Sequence, residues 1–515
     1  MIYNTQTFWS YICNESQFIV NQVKDLLTRK DYNFDTKTYN IRKFYQNINR
    51  LEVDGIVYES IRFPTGLIPF ILKKVPLQVE VKDPGYKLYT EQEVLDYANL
   101  VKEINPKFEI RDYQLEACLT SLNNFQSLIH SSVGSGKTSV MSLVCKILEN
   151  DRILILNGNN FILQQIYDRL LSFGITDISW NPSKEPDYKK RIVLINAKSS
   201  DERLNKQDEA YISFLKLVNT YIVDEAQHLQ ALTNFEPIFY MDESKLQHII
   251  GYTGSPFRNY DHPYNNADDF TLIAIIGEPA FSYEMKDTIS DQNIAQPYSY
   301  FINYKNREPQ LPDYLKDNYF IQYRMNITYN KARNRAGIEM LKYLNKHGVK
   351  TLASINNIKP GQNLMKILKE EGVDSIFVCG DNTVYEWKTA RTGKLKLHTK
   401  EGGVEDIKQA FENGYNIIFG STVLDEGVDI EEFQAVVLFS AGKTPIAGIQ
   451  RVGRASRKKK TGKNVSFVID FKDIGGNYMF TNHYEKRKKM LADSGVINLP
   501  KVQDFCKMIE ELNED

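Results

Sequence analysis

Residues 131–138 read Ser-Ser-Val-Gly-Ser-Gly-Lys-Thr, between a short apolar run and an apolar-rich stretch that starts at Ser139. These types at this spacing suit a phosphate chain. Gly134 and Gly136 let the backbone turn tightly, so that N–H groups, including that of Ser135, can point at phosphate oxygens. Lys137 is placed to reach the β- and γ-phosphates of ATP, and the Thr138 hydroxyl to hold Mg²⁺. Ser131 stands where such loops usually carry Gly or Ala, a position that tolerates small residues. A Gly-Lys-Thr alone is weak evidence. A strand before it and a helix after it separate a phosphate-binding P-loop from an ordinary turn.

Two more constellations follow. Thr-Tyr-Ile-Val-Asp-Glu-Ala-Gln-His at 220–228 is an apolar run ending in two acids. Solvated Asp-Glu pairs are common. At the end of a strand beside a P-loop, Asp224 can hold Mg²⁺ and Glu225 can orient and deprotonate the attacking water. Near the other end of the chain, Gln450-Arg-Val-Gly-Arg-Ala-Ser-Arg457 carries arginines at 451, 454 and 457. A spacing of three puts them on one helical face. Lys458–Lys460 continue the charge, as a plain solvated face would, but Gly453 sits where such a helix would prefer Ala. An ATPase whose γ-phosphate is uncovered needs an arginine from elsewhere in the transition state. Arg454 and Arg457 are the candidates, and Gln450 is grouped with them.

The elements that must position these residues alternate between strand and helix. Strands are expected at 152–156, 191–196, 220–224 and 248–252, with helices at 161–173 and 211–218 between them. That alternation marks a parallel α/β sheet. A second α/β set runs from 330 to 470 and has no P-loop of its own. The stretch 384–400 within it is polar and basic, an inserted hairpin or loop. Residues 1–85 read as a small α+β accessory domain, with two strands around Asp54-Gly55. The expected domains are 1–85, 86–296, 297–480 and a helical tail at 481–515. The helix at 483–490 is basic and faces either nucleic acid or solvent. The acidic end at 505–515 is expected only at the surface. Residues 267–282 carry no assignment.

The 515 residues hold 42% apolar side chains and a net charge of −1. The chain is thus not basic overall, and any nucleic-acid contact has to come from local patches. Five scattered cysteines form no disulfide framework and no zinc spacing, which fits a reducing cytoplasm. No apolar run is long enough to span a membrane, and Met1-Ile-Tyr-Asn does not open a signal peptide. A soluble cytoplasmic protein is expected, in the host cytoplasm if a phage encodes it.

Taken together and in order, these stretches resemble the superfamily 2 helicases and translocases. Arg111-Asp-Tyr-Gln114 is similar to the adenine-reading motif, in which a Gln amide can pair with the base edge. A capping Gln at a helix start is the ordinary alternative. Residues 131–138 match motif I, Asp224-Glu-Ala-Gln227 motif II, Thr253-Gly-Ser-Pro256 motif III, 421–429 motif V and 450–457 motif VI. The variants look closest to the phage UvsW branch, XPB and the type III restriction motor. Gln227 stands where these relatives usually carry His. The resemblance implies two tandem RecA-like parallel-sheet domains with a small N-terminal domain. It implies ATP and Mg²⁺ as cofactors, with Gly427 and Asp429 near the nucleotide. It also implies backbone contacts to nucleic acid from Gly158, Asn159, Asn196 and Thr422. The expected function is an ATP-dependent DNA helicase or translocase that unwinds or branch-migrates DNA in phage recombination, repair or replication. Branched or partly single-stranded DNA is the expected partner and a monomer the default. An RNA-directed ATPase and the motor of a restriction or defence complex are the alternatives. A pure ATP-binding scaffold is disfavoured, because it would need neither the water-activating acid nor both arginines.

Overall fold

A computed structural model describes residues 1–4, 7–13, 15–33, 38–53, 56–82, 86–132, 134–230, 236–257, 263–304, 318–379, 383–390, 392–402, 404–421, 433–440, 464–473 and 478–513. They fall into two compact units. One holds residues 1–131 and 135–283, the other 132–134 and 284–515. Among the described residues no helix is long and apolar enough to cross a membrane.

The first unit is built on a seven-stranded parallel sheet. Its strand order is Ile178–Ser179, Ile192–Asn196, Ile153–Asn157, Thr220–Asp224, His248–Thr253, Gln126–Ser131 and Pro279–Tyr283. The runs Ile-Leu-Ile-Leu and Tyr-Ile-Val are buried throughout, as strands covered on both faces must be. Helices Lys137–Ile147 and Asn160–Ser172 cover one face. The other face meets Ala267–Ile276, the helix missing from the sequence reading. Nine of its ten residues are buried and the run from Phe270 is almost wholly apolar, so it shows no amphipathic period to detect.

The N-terminal residues form their own five-stranded sheet, whose central strands include Trp9–Ile12 and Ile56–Pro64. This sheet shares one apolar core with the first parallel sheet. Phe44 and Phe70 pack edge-on against Phe270 at 4.8 and 5.2 Å between ring centres. The Arg29 guanidinium lies 3.9 Å over the Phe270 ring, and Arg42 pairs with Asp268 at 3.2 Å.

The second unit is a nine-stranded sheet. Seven strands are parallel, and the order at one end is Leu395–Glu401, Thr383–Thr389, Ser375–Val378, Ile417–Gly420. The inserted stretch is therefore an antiparallel hairpin that extends the sheet. At the opposite end, Ile497–Asn498 pairs with Gln296–Ile302, which itself pairs with Val465–Phe471.

One expectation about the C-terminus is corrected here. The acidic final helix Val502–Glu510 is not a mere surface element. Phe505 and Ile509 are fully buried, each worth roughly 1.5–3 kcal/mol, and Phe505 stacks on Tyr300. The basic helix Tyr478–Asp493 leaves Lys486, Lys488 and Lys489 exposed, as a solvated helix would, but it also has an inner face. Its Arg487 is buried and paired with Asp470 and Asp473 at 2.7 and 2.9 Å.

Candidate functional site

Five adjacent strands of the first sheet end on a polar residue. In sheet order these are Asn196, Asn157, Asp224, Thr253 and Ser131. All five strands are parallel, so these residues lie along one edge, the edge where open α/β sheets bind ligands.

The P-loop leaves this edge at Ser131. Gly134 and Gly136 have φ of +83° and +85°, the left-handed region that glycine enters without strain. At Gly136 a second constraint applies, since a Cβ there would sit 2.5 Å from Gln114 Nε2. Gly136 caps the helix Lys137–Ile147, whose free N–H groups and positive dipole end open onto the loop. Ser131 Oγ donates to Ser135 Oγ at 2.6 Å, and Lys137 Nζ donates to the Ser131 carbonyl at 2.8 Å. Thr138 follows, partly exposed, in the first turn.

Gln114 is buried against this loop. Its Nε2 donates to the Ser135 carbonyl at 2.8 Å, and its Oε1 accepts from the Arg111 N–H at 3.1 Å. Both ends of the amide are thus in use as a brace and a helix cap. Tyr113 adds a second donor to the Ser135 carbonyl at 2.9 Å and accepts from the Arg111 guanidinium at 2.9 Å. Its ring stacks on Tyr283 with centres 3.8 Å apart and planes 4° from parallel. Tyr283 ends the strand beside Ser131. Nothing in its local sequence marks it.

Asp224 is buried at the end of its strand, with Asn157 Nδ2 3.3 Å from its carbonyl and 3.5 Å from Oδ2. Sequence reasoning missed Asn157, although it closes an apolar run just as Asp224 does. Glu225 holds φ of +52°, a conformation that costs a non-glycine residue roughly 1–3 kcal/mol and clusters at functional sites. Its carboxylate accepts from Gln227 Nε2 at 2.7 Å. The other end of that amide, Oε1, accepts from the Thr253 hydroxyl, whose oxygen in turn accepts from the Ser255 N–H at 3.1 Å. Gln227, Thr253 and Ser255 are all buried. A continuous hydrogen-bonded path therefore joins Glu225 to the loop after Thr253.

Gly158, Asn159 and Asn196 come together at the neighbouring strand ends. Asn196 Nδ2 donates to the Gly158 carbonyl at 3.0 Å and to Asn160 Oδ1 at 2.8 Å. The Asn159 and Asn196 side chains also cap the helices that follow them. Gly158 is open, and a Cβ there would meet nothing within 4 Å. Thr422, Gly427, Asp429, Gln450, Arg454 and Arg457 lie outside the described residues. Among the described residues no three His, Cys, Asp or Glu gather as a metal cluster. The hard oxygens of Thr138 and Asp224 still fit Mg²⁺, which keeps waters and substrate phosphates as its other ligands.

Residues 107–258 match the family model "Type III restriction enzyme, res subunit", and residues 338–459 match "Helicase conserved C-terminal domain". A helicase-like protein of Sulfolobus islandicus filamentous virus is 21% identical over 421 residues, 76% of this chain and 69% of the viral protein. The DNA 3'-5' translocase XPB2 of Sulfurisphaera tokodaii is 24% identical over 396 residues, 72% of this chain and 85% of the translocase. In fold, the chain resembles S. cerevisiae Dbp5 bound to RNA and ADP BeF3, at a TM-score of 0.52 and 14% identity over 83% of this chain and 98% of Dbp5. The chain belongs to the superfamily 2 helicases, related to XPB and the type III restriction motors, and is an ATP-hydrolysing, nucleic-acid-dependent enzyme of that family.

Proposed function

We propose that this enzyme is a DNA-directed motor of viral origin, coupling ATP hydrolysis to unwinding or branch migration. The polar edge of the first sheet carries the reading, because motifs I, II and III all leave it from adjacent strands. Lys137 releases the Ser131 carbonyl and takes the β- and γ-phosphates of ATP. The N–H groups of Gly134, Ser135 and Gly136 hold the same chain, and Ser131 fixes the loop through Ser135. Thr138 and Asp224 would hold Mg²⁺, which would supply positive charge against the phosphates. Glu225 orients the attacking water and takes its proton. Gln114 reaches ATP through the loop it braces, with Arg111 and the Tyr113–Tyr283 stack beside it. Arg454 and Arg457, with Gln450, stabilise the transition state, and Gly427 and Asp429 approach the nucleotide. Gly158, Asn159, Asn196 and Thr422 follow the nucleic-acid backbone.

The translocase relative supports DNA as the track, and the viral relative supports a phage or viral setting. A second reading, the motor of a restriction complex, draws on the family match over residues 107–258. The two part in one experiment: ATPase rate with no nucleic acid, single-stranded DNA, duplex DNA, a four-way junction and RNA, with Lys137→Ala as the blank. Strong stimulation by DNA, highest on branched forms, is expected. Stimulation by RNA alone contradicts the proposal. No stimulation by any of them favours a motor that waits for its partner subunits.

A further inference from the structure

The hairpin Thr383–Thr389 and Leu395–Glu401 belongs to none of the motifs above, yet its register sorts its side chains sharply. One face carries Tyr385, Trp387, Leu395 and Leu397. Tyr385 and Trp387 pack against the second core, and Trp387 Nε1 donates to the Gln362 carbonyl at 2.9 Å. The other face carries Val384, Glu386, Lys388, Lys396, His398 and Lys400. Its base is anchored. Val384 is buried, Glu386 accepts from the Tyr415 hydroxyl at 2.8 Å, and Lys400 pairs with Asp406. Further out, Lys388, Lys396 and His398 are exposed, and so is Lys394 beside them.

What sets this charge apart is its concentration on one face of one hairpin. Elsewhere in the unit some lysines are matched, Lys342 with Glu371 at 2.6 Å, Lys408 with Glu405 at 3.0 Å and Lys366 with Glu370 at 3.6 Å, while others, Lys331, Lys359 and Lys501 among them, are exposed without an ion pair among the described residues. Lys394 and Lys396 form no ion pair among the described residues. Lys388 has Glu386 on its own strand at 3.0 Å, but it stands directly opposite Lys396. A like-charge pair at that position weakens a hairpin. Edge-strand lysines do guard a sheet against pairing with another chain. That accounts for Lys396, but not for Lys388 on the inner strand. Residues 383–401 hold five Lys or Arg against two Glu, in a chain of net charge −1.

We propose that this face binds the phosphate backbone of duplex DNA. Polyanion phosphates would relieve the repulsion that the hairpin carries alone. Duplex is favoured over single strand because the aromatics of the hairpin, Tyr385 and Trp387, are turned to the core. Only the small His398 ring is left on the basic face to stack an unpaired base, whereas a two-stranded ribbon is a shape the major groove admits. The inference rests on the DNA-directed reading.

The test is fluorescence anisotropy of a short labelled blunt duplex, titrated with the full chain across a salt series. The variant is Lys394→Glu/Lys396→Glu. It leaves the anchored base intact and turns the Lys388–Lys396 repulsion into attraction, so its Tm is expected to hold or rise. Duplex affinity is expected to fall at least about tenfold. The slope of log affinity against log salt is expected to shrink by roughly two, since each lost phosphate contact removes about 0.9. Lys394→Arg/Lys396→Arg is expected to bind as the wild type does. A charge-reversed variant that matches the wild type in affinity and slope overturns the assignment. So does a loss confined to single-stranded DNA. A wild-type chain that binds no DNA at all overturns the DNA-directed reading itself.

Discussion

Acids end strands in both parallel sheets, but their partners differ. In the first sheet, Asp224 sits beside the neutral Asn157 amide, and Glu225 takes a hydrogen bond from the neutral Gln227 amide. In the second, Asp470 near the end of the strand Val465–Phe471 and Asp473 just beyond it meet guanidinium groups. Arg487 reaches both acids, while Arg333 reaches Asp473 at 3.0 Å and also donates to the Phe439 carbonyl at 2.6 Å. Burial alone would raise the Asp473 pKa, but the charges of Arg333 and Arg487 outweigh it and hold it below the usual range. Burial likewise works against charge on Arg487, and Asp470 and Asp473 push its pKa the other way, above its ordinary value. Charges compensated on every side bind the chain to itself. The acids of the first sheet stand instead at the polar edge from which the P-loop leaves, with amides beside them.

That contrast can be broken from either side. The largest effect is expected at the P-loop. Lys137→Ala should cut ATP turnover by at least about 10²–10³, the scale of losing one donor to transition-state charge, while urea unfolding of the second unit stays as in the wild type. Next comes the buried network. Arg333→Met leaves Asp473 short of a partner and should cost the second unit about 3–5 kcal/mol in chemical denaturation, with nucleotide affinity unchanged. The same network should respond to acid. Asp473 has a depressed folded pKa, so its contribution is complete above the unfolded carboxylate value of about 4. It is lost as pH falls through the folded value. The unfolding midpoint should therefore drop below about pH 4, and Asp473→Asn should flatten that drop.

A smaller effect is expected where the two kinds of partner can be told apart within one site. Gln227→Ala removes the link between Glu225 and Thr253. It should slow turnover by the equivalent of about 1–3 kcal/mol while ATP affinity holds, as measured with a fluorescent nucleotide. A matched loss of affinity and rate would mean that Gln227 only supports the pocket. The smallest effect is expected at Tyr283→Ala, which deletes the stack on Tyr113. A pair of this kind is worth about 0.5–1.5 kcal/mol, so nucleotide affinity should weaken about two- to tenfold.

The edge of the first sheet was legible because its signals are local. An apolar run that stops on Asp224 or Ser131 announces a buried strand and its exit in a few residues. The same rule, applied evenly, would have found Asn157. What stayed hidden depends on distant contacts or on missing contrast. Arg333 and Asp473 are 140 residues apart, and nothing near either one names the other. Ala267–Ile276 is too uniformly apolar to show a face. The acidic composition around Val502–Glu510 masked Phe505 and Ile509, which carry its packing. Gln114 shows what spacing alone leaves out, since its motif suggests a base-reading amide and its position adds a hydrogen bond that braces the loop.

The most direct test of the account compares Glu225→Gln with the wild type in a single-turnover ATP experiment, with binding and cleavage read separately. The substitution keeps the shape of the side chain and an oxygen to accept from Gln227, but removes the base. The account predicts ATP binding close to wild type and cleavage lower by about 10²–10⁴, the usual worth of a positioned base. Cleavage at the wild-type rate would contradict it and remove Glu225 from the chemistry.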